Sequence, residues 1–335
     1  MLLPKRPKSS KLPYILCFLS IGCFVFVSLF SLKYYSYITL LTKPKTQLVN
    51  ITCRQYIASD NRSFFERDYP QLNLPQQLSN FSYENSINQL RSFRLIVLSC
   101  ARNIDRYIDN YRSHIEPILD LFHSSSSIHI FESDSKDKTA EKLRQWSRLH
   151  VYTHKKLINK YRDRTERLAY CRNTLLNKAH SLSPDYILFT DPDIFSADVS
   201  SFLSNFKYNQ ADWSVMAAGG RYGYYDIWAL RTLSDSVMNY DVWHRVWNLS
   251  KSSENYCSKS ISDQIIGIHG KHIPIEHGLV EVRSAFGGAA LYKANSTYEC
   301  QYDGKGPICE HVPFHLCIRE KHNGRIFINP EFYID

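Results

Sequence analysis

The sequence predicts an α/β domain with a mostly parallel sheet, placed behind a membrane-spanning segment. Two observations lead to this prediction. Short apolar runs alternate with amphipathic stretches from residue 94 to residue 190, and a charge-free run lies close to the N-terminus. Strands and helices in alternation are typical of a parallel sheet covered by helices. The chain has 335 residues, 44% of them hydrophobic, which is enough to bury one substantial core.

The charge-free run covers residues 12–32, LPYILCFLSIGCFVFVSLFSL. At about 1.5 Å per residue, it is long enough to cross a hydrocarbon core of roughly 30 Å. Four basic residues and no acidic residue precede it, so the positive-inside rule places residues 1–11 in the cytosol and the rest of the chain in a lumen. A cleaved signal peptide is the alternative, but the run is long for one and lacks a clear small-residue cleavage site.

Sequons and cysteines both suit a lumenal chain. Five Asn-x-Ser/Thr sequons begin at Asn50, Asn61, Asn80, Asn248 and Asn295. Two of the nine cysteines fall within residues 12–32, which leaves seven in an oxidising compartment. Seven is odd, so at least one is free or pairs between chains. Cys300, Cys309 and Cys317 are the candidates for a local disulfide, and their spacing leaves the pairing open.

The net charge of +9 at pH 7 restricts the class of ligand. Residues 1–11 contribute four of these charges, and the remaining +5 is a mild excess that suits a phosphate-bearing ligand. No basic run with interleaved aromatic residues occurs, so nucleic acid is not a predicted partner. A homo-oligomer is left open.

The composition and hydrophobic pattern change near residue 90. Residues 33–90 mix Tyr, Asn, Gln, Ser and Pro without a sustained period, which predicts a lumenal stem. Residues 91–335 are the predicted folded domain, with strands at 94–100, 127–132, 150–155 and 186–190 and helices at 104–122, 139–149 and 164–182. Ligands of such a sheet bind at the carboxyl ends of the strands.

Two carboxylates follow the fourth predicted strand, in YILFTDPDIF at residues 186–195. Asp191 and Asp193 are one residue apart, and a helix carrying Arg172 and Asn173 leads into this strand. Two negative charges at a strand end repel each other unless a cation neutralises them. Carboxylates are the oxygen ligands that hard cations prefer, so the segment predicts a divalent metal that bridges the protein and a diphosphate.

A second acidic segment, FESDSKDKT at residues 131–139, follows the second predicted strand. It carries Glu132, Asp134 and Asp137. The segment can cap the next helix without any ligand. A calcium loop is excluded, because the sixth position from Asp134 is Thr139 rather than Gly, and the twelfth is Gln145 rather than Glu.

Two downstream segments have two interpretations each. RYGYYDIWALR at residues 221–231 clusters aromatic residues around Asp226 and ends on Arg231. It is either a tyrosine-rich edge of the core or a sugar-binding wall, because aromatic faces stack on sugars. Gly287 and Gly288 precede an apolar strand, where they form either a tight bend or a loop that a ligand approaches closely. The loop is the favoured interpretation.

The segment CEHVPFHLCIREKHNGRIFINP at residues 309–330 holds Glu310, His311 and His315. Two histidines four residues apart on a helix can bind zinc. Pro313 lies between them and argues against a regular helix, so we do not expect a zinc site.

Taken in order, these segments resemble the nucleotide-binding half of GT-A fold glycosyltransferases. LIVLSCARNIDRYIDNY, IFESDSKDKT, RLAYCRNTLLNKA, YILFTDPDIF and YYDIWALR are similar to segments of the fungal capsule-associated α-1,3-mannosyltransferase family. The resemblance extends from residue 95 to residue 329. It implies a GT-A fold, a Rossmann-like and mostly parallel sheet, behind the transmembrane helix and stem.

The resemblance also implies a set of ligand contacts. Mn²⁺ or Mg²⁺ would be bound by Asp191 and Asp193, with Asp193 the more direct ligand, and by His311 as a third ligand. The nucleotide sugar would contact Glu132 and Asp137 near the nucleoside and Arg172 near the diphosphate, with Asp191 and Arg231 completing the set. Asp193, Glu310 and Asp226 are the candidate catalytic residues.

The implied activity is that of a single-pass type II Golgi membrane enzyme, which transfers mannose from GDP-mannose to a glycan acceptor in an α linkage. A UDP-sugar-dependent transferase of the same fold is the alternative, since Glu132 and Asp137 could accept hydrogen bonds from guanine or uracil. A phosphohydrolase with Asp191 as nucleophile is less favoured, because such enzymes usually carry their two aspartates on the first strand. A catalytically inactive sugar-binding protein is the remaining alternative.

Overall fold

The computed structural model describes residues 53–67, 71–306 and 308–334. The chain divides into two compact units, Met1–Cys53 and Arg54–Asp335. The predicted cytosolic tail, residues 1–11, and the predicted membrane span, residues 12–32, lie outside the described residues. Among the residues that are described, no helix has both the length and the apolar character needed to cross a membrane.

A mixed sheet forms the centre of the second unit. In the described part of the chain its strands are β1 (Leu95–Ala101), β2 (Ser127–Ser133), β3 (Leu149–His154), β4 (Tyr186–Thr190), β5 (Val215–Gly220), β6 (Arg231–Thr232), β7 (Val280–Ser284), β8 (Ala289–Lys293) and β9 (Ile326–Ile334). Their order is β3-β2-β1-β4-β8-β5-β9-β7-β6. β1 to β4 are parallel, whereas β8 and β7 run antiparallel to their neighbours. The predicted α/β architecture is confirmed, but the sheet is mixed rather than mostly parallel, because among the described strands only β1–β2, β1–β4, β2–β3 and β5–β9 pair in parallel.

The helices of the second unit are α1 (Asn80–Gln89), α2 (Ile108–Leu119), α3 (Thr139–Gln145), α4 (Leu157–Lys160), α5 (Arg164–His180), α6 (Val199–Leu203), α7 (Asp235–Met238), α8 (Val242–Ser250), α9 (Ser258–Ile265) and α10 (His311–His322). Successive side chains of a strand point to opposite faces of the sheet. In β1, Ile96 and Leu98 belong to one hydrophobic cluster and Leu95 and Val97 to another. Both faces of the sheet are therefore covered.

The strands and helices predicted between residues 94 and 190 are all present, with ends shifted by a few residues. The expectation that Pro313 prevents a regular helix is wrong, because α10 runs through it. Pro313 is the third residue of α10, and the backbone N–H groups of a first turn have no partner within the helix, so a missing one disrupts nothing. A zinc site is still not formed, since His315 binds Ser284 through Nδ1 and Tyr292 through Nε2.

Disulfides cross-link elements of the second unit. Cys100 at the end of β1 is bonded to Cys171 on α5, and Cys300 is bonded to Cys317 on α10. Two of the three candidates for a local disulfide are thus paired. Cys309 is buried and is the free cysteine of the described residues, as the odd count predicted.

Part of the predicted stem belongs to the second compact unit. Phe64 is fully buried, and its ring meets that of Tyr224 at 5.5 Å between centroids. Phe65 is packed edge-on against His277 at 5.7 Å. These aromatic side chains bury apolar area that a solvated stem would leave in water. The compact unit begins at Arg54, well before the boundary predicted at residue 91.

Removing one of these aromatic anchors should destabilise the fold. Phe64→Ala is expected to lower the free energy of unfolding by about 3–5 kcal/mol, because it leaves a cavity in a packed core. Phe81→Ala is the matched control, since this side chain is 74% exposed. Urea unfolding followed by tryptophan fluorescence compares the two. Equal stability of both variants would mean that residues 54–67 do not belong to the core.

Acid should destabilise the protein through the buried imidazole of His129. Its ring is held by the hydroxyls of Ser127 and Tyr152, and burial, with His150, Lys178 and Arg94 nearby, lowers its pKa to about 4. The unfolded chain takes up this proton near pH 6.5 and the folded chain near pH 4, so stability is lost as the pH falls between these values. From pH 7 to pH 5, His129 should contribute a loss of about 2 kcal/mol.

His129→Gln keeps a polar side chain that does not titrate in this range. The variant should therefore lose about 2 kcal/mol less than the wild type between pH 7 and pH 5 in parallel urea titrations. An unchanged pH dependence would show that His129 is protonated equally in both states.

Candidate functional site

The carboxyl ends of β1 and β4 meet at one edge of the sheet, where Asp191 leaves β4. Just before it, the buried hydroxyls of Ser99, Tyr111 and Thr190 are mutually hydrogen-bonded at 2.6–2.8 Å. The backbone N–H of Asp191 donates to the carbonyl of Gly288 at 2.8 Å. This strand end is therefore held from two sides, and Asp191 has a defined position.

Arg172 connects the acidic groups of the site. It lies on α5 and is almost fully buried, with its guanidinium over the rings of Phe286 and Tyr302. Its Nη2 lies 3.2 Å from Oδ1 of Asp191, and its Nη1 donates to Oε1 of Glu310. One side chain thus joins α5, the end of β4 and the start of α10. The guanidinium is always charged, so its burial requires both carboxylates.

The site carries more negative charge than Arg172 neutralises. Burial raises the pKa of Asp191; Asp193 and Asp226 add to this rise, while Arg172 opposes it. Burial likewise raises the pKa of Asp226, against hydrogen bonds from the backbone of Ala229 and Gly287. Asp193 follows Asp191 within a turn and is exposed. A cation at Asp191 and Asp193 would relieve this repulsion.

The paired glycines join the two acidic segments. Gly287 donates its N–H to Oδ2 of Asp226 at 3.2 Å, and Gly288 accepts from the N–H of Asp191. Both have a positive φ, and a Cβ at Gly287 would lie 2.1 Å from the carbonyl oxygen of Ala218. The pair therefore forms a tight bend that positions both carboxylates, which is the alternative that the sequence disfavoured.

A first cavity, the strand-end cavity, has a volume of about 390 Å³. Its walls include the ends of β1 and β2 and the start of α5. Its charged lining residues are Arg102, Arg164, Arg167, Asp191 and Asp193. Three arginines around two carboxylates suit a polyanion bound together with a metal. None of these arginines was singled out in the sequence, although Arg164 and Arg167 lie on the same helix as Arg172.

A second cavity, the inner cavity, has a volume of about 260 Å³ and adjoins the first. Both are lined by Arg164, Leu168, Asp191 and Tyr225. The inner cavity is further lined by Arg172, Asp226, Glu310 and His311. Six predicted site residues are therefore brought to one pair of connected cavities, and Asp191 lines both of them.

His311 does not join Asp191 and Asp193 in a ready metal site. Its ring stacks on Phe286 at 3.9 Å, and burial keeps its pKa well below the usual range. Neither ring nitrogen has a hydrogen-bond partner. Among residues 53–67, 71–306 and 308–334, no three histidine, cysteine or acidic side chains are grouped closely enough to hold a metal.

Three predicted donor contacts lie outside both cavities. Glu132 accepts from the backbone of Ser135, and Asp137 accepts from that of Thr139 and Asp105, so these carboxylates hold the turn after β2. Arg231 is buried and donates to the carbonyls of Trp228 and Leu230, with Asp241 3.5 Å away. The N-cap of α3 is Lys138, and no side chain caps this helix, so the two carboxylates stabilise the turn itself and the helix-cap interpretation is wrong.

A divalent cation fits this site better with Asp191 and Asp193 as its two protein ligands than with His311 as a third ligand. Asp191 is 30% exposed and Asp193 is exposed, so both can reach a cation in the strand-end cavity. The arginines of that cavity can hold an anion whose oxygens complete the coordination. The protein therefore suits a cation that arrives with its anionic ligand.

No protein-family model and no curated protein sequence matches the chain. Among solved structures, the chain is similar to the mannosyltransferase PcManGT from Pyrobaculum calidifontis, in complex with GDP-Man and Mn²⁺. That match has a TM-score of 0.43 and 14% identity, covering 76% of this chain and 63% of that one.

Two other solved structures show similarity at the same level. Glucosyl-3-phosphoglycerate synthase from Mycobacterium tuberculosis, with phosphoglyceric acid, has a TM-score of 0.41 and 11% identity over 79% of this chain and 77% of that one. The structure of residues 1–349 of TarS from S. aureus has a TM-score of 0.39 and 12% identity, and the match covers 72% of this chain and 59% of that one. TM-scores in this range do not establish a shared function, so what each protein binds remains a property of that protein.

Breaking the buried ion pair should destabilise the fold. Glu310→Ala leaves the guanidinium of Arg172 with only Asp191, and the free energy of unfolding should fall by about 3 kcal/mol. Glu320→Ala on the same helix is the control, because Glu320 is exposed. Thermal unfolding by circular dichroism measures the difference. Equal melting temperatures would show that Glu310 is not needed to compensate the buried charge.

Proposed function

We propose that this chain is a metal-dependent glycosyltransferase that uses a nucleotide-diphosphate sugar. The observation that carries the proposal is the arrangement around Asp191, where two carboxylates at a strand end face three arginines in an open cavity. A metal and a diphosphate together would complement both sets of charges. The adjoining inner cavity, with Asp226 and Glu310, then receives the sugar.

The diphosphate is bound in the strand-end cavity by Arg102, Arg164 and Arg167. Asp191 and Asp193 hold Mn²⁺ or Mg²⁺, which offsets the charge that develops on the departing nucleoside diphosphate. Arg172 fixes the orientation of Asp191 from the buried side. Because these groups are positioned before substrate arrives, little reorganisation is needed during the reaction.

Asp226 and Glu310 take different roles. Each oxygen of Asp226 accepts one backbone N–H, from Ala229 or Gly287, and the carboxylate lines the inner cavity. Asp226 therefore binds hydroxyls of the transferred sugar. Glu310 is buried against Arg172, so it acts by positioning that guanidinium rather than by contacting the acceptor.

The donor and the linkage follow from the motif resemblance. GDP-mannose is the proposed donor, and the product is an α-linked mannoside on a glycan. A UDP-sugar is the alternative donor, because Glu132 and Asp137 are engaged with backbone groups and supply no contact that selects a base. A phosphohydrolase is disfavoured, since Asp191 follows β4 and is already paired with Arg172.

The proposed location is the Golgi membrane, with residues 12–32 as a single-pass anchor and the second compact unit in the lumen. The charge-free run and its basic flank support this topology. The described sequon residues Asn61, Asn80, Asn248 and Asn295 are all exposed, and two disulfides suit an oxidising lumen.

Donor use by the full-length chain in nanodiscs tests the proposal. Hydrolysis and transfer are measured across GDP- and UDP-sugars with Mn²⁺ or EDTA. Mn²⁺-dependent use of GDP-mannose is expected, and Asp193→Asn should lower kcat/KM by at least about 100-fold without changing the melting temperature, because Asp193 is exposed.

Glu320→Ala, at an exposed position outside both cavities, is the control for Asp193→Asn and should retain full activity. Preference for a UDP-sugar would reject the mannosyltransferase assignment alone. Sugar-nucleotide binding without turnover by folded protein would favour the inactive sugar-binding alternative.

A further inference from the structure

A third cavity opens beside the inner cavity and has a volume of about 810 Å³. We call it the tryptophan groove. The residues that define it are Trp228, Trp243, Trp247, His244, Asp163 and Arg164. None of the roles assigned above uses Trp243 or Trp247. Its size lies within the range of about 300–1,000 Å³ that is typical of ligand sites.

Two of these tryptophans are exposed to solvent on the same helix. Trp243 and Trp247 are four residues apart on α8, so they lie on the same face, and they are 50% and 56% exposed. Large aromatic side chains bury much area when they find a partner, so a pair left in solvent indicates a binding surface. Lys251 lies over the ring of Trp247, 4.0 Å from its centroid.

Asp241 organises the groove. Its Oδ1 accepts from the backbone N–H groups of Trp243 and His244, which caps α8. Its Oδ2 accepts from Nε1 of Trp228 at 2.8 Å. One carboxylate therefore ties the indole of Trp228 to the helix that carries the other two. The indole of Trp228 and the helix backbone that carries Trp243 and Trp247 are thus fixed before a ligand binds, which reduces the entropy lost on binding.

The groove is continuous with the proposed reaction site. Arg164, Trp228 and Trp243 line both the tryptophan groove and the inner cavity, where Asp226 lies. Trp247 lines only the groove. A molecule in the groove therefore has one end in the cavity proposed for the transferred sugar. That is the place of an acceptor rather than of a donor, since the groove shares only Arg164 with the arginine-rich cavity proposed for the diphosphate.

The side chains that line the tryptophan groove indicate which class of molecule binds there. Indole faces pack well on the C–H faces of sugar rings, and indole N–H groups and neighbouring polar side chains serve the hydroxyls. Asp163 and Arg164 contribute one charge of each sign, so the groove favours no ionic ligand. Its volume of about 810 Å³ exceeds the volume of about 260 Å³ of the inner cavity, so it has room for more than one sugar ring.

On this basis, and resting on the proposed glycosyltransferase function, we propose that the tryptophan groove binds the acceptor as a neutral oligosaccharide. The end of the acceptor that is extended enters the inner cavity. The sugar units behind it stack on Trp243 and Trp247. Longer acceptors should therefore bind more tightly than a monosaccharide.

Binding is measured with the full-length chain in nanodiscs, by calorimetry with neutral oligosaccharides of one to four units, in an α-mannose and a β-glucose series. In at least one series, affinity should rise by about 30-fold from one to three units, as expected for two aromatic contacts of about 1 kcal/mol each. Trp247→Ala should reduce this rise to about fivefold, since only the contact with Trp243 remains, and leave monosaccharide binding unchanged. Trp247→Phe should retain most of the rise, because an aromatic face remains.

Phe81→Ala, another exposed aromatic residue outside the groove, is the matched control and should behave as the wild type. All variants carry Asn248→Gln, so that a glycan on the sequon next to Trp247 does not enter the groove. Donor hydrolysis without acceptor is measured in parallel and should be the same in Trp247→Ala and the wild type.

The outcomes separate the two proposals. If no donor is hydrolysed but length-dependent, Trp247-dependent binding is found, the transferase function fails and the oligosaccharide groove stands. Normal donor use with affinities independent of length or of Trp247 overturns the groove alone. Affinity could instead depend on the alkyl length of an alkyl-glycoside series and not on the number of sugar units. The groove would then bind hydrocarbon, and the proposal would be overturned.

Discussion

The structure around Asp191 depends on the buried guanidinium of Arg172. A guanidinium cannot lose its charge at any relevant pH, so it is stable in the interior only with compensating anions. Asp191 and Glu310 provide them from the end of β4 and the start of α10. The consequence is geometric: a helix, a strand end and a second helix cannot shift independently. Because two carboxylates share one cation, Asp191 retains negative charge toward the solvent.

The surrounding contacts make this edge rigid. The hydroxyl network of Ser99, Tyr111 and Thr190 ties β1, α2 and β4 together beneath Asp191, and the disulfide between Cys100 and Cys171 joins β1 to α5. The lining changes in character along the three cavities. Arginines surround the first, carboxylates the second and indoles the third. This order matches a molecule that is anionic at one end meeting a neutral one, as the proposed reaction requires.

Much of the fold could be predicted because its signals are local. A strand such as residues 186–190 is an apolar run of the right length, and α5 repeats apolar residues at helical spacing. Prediction from neighbouring residues failed where the effect of a residue depends on its position within a helix. Pro313 is an example, because it lies in the first turn of α10. Such prediction also failed for residues 54–67, whose polar composition conceals Phe64 and Phe65 as anchors.

The sequence by itself determined the strands and helices between residues 94 and 190 and the placement of Asp191 and Asp193 at a strand end. Each of these depends on residues a few positions apart. Only the tertiary structure decided which side chains share the site, because those partners are distant in the chain. Arg172 meets a carboxylate 138 residues away. Arg231 turns inward to Asp241, although its position beside an aromatic cluster indicated a ligand contact. The tryptophan groove likewise exists only because α8 packs beside a loop that precedes it, which no local pattern reports.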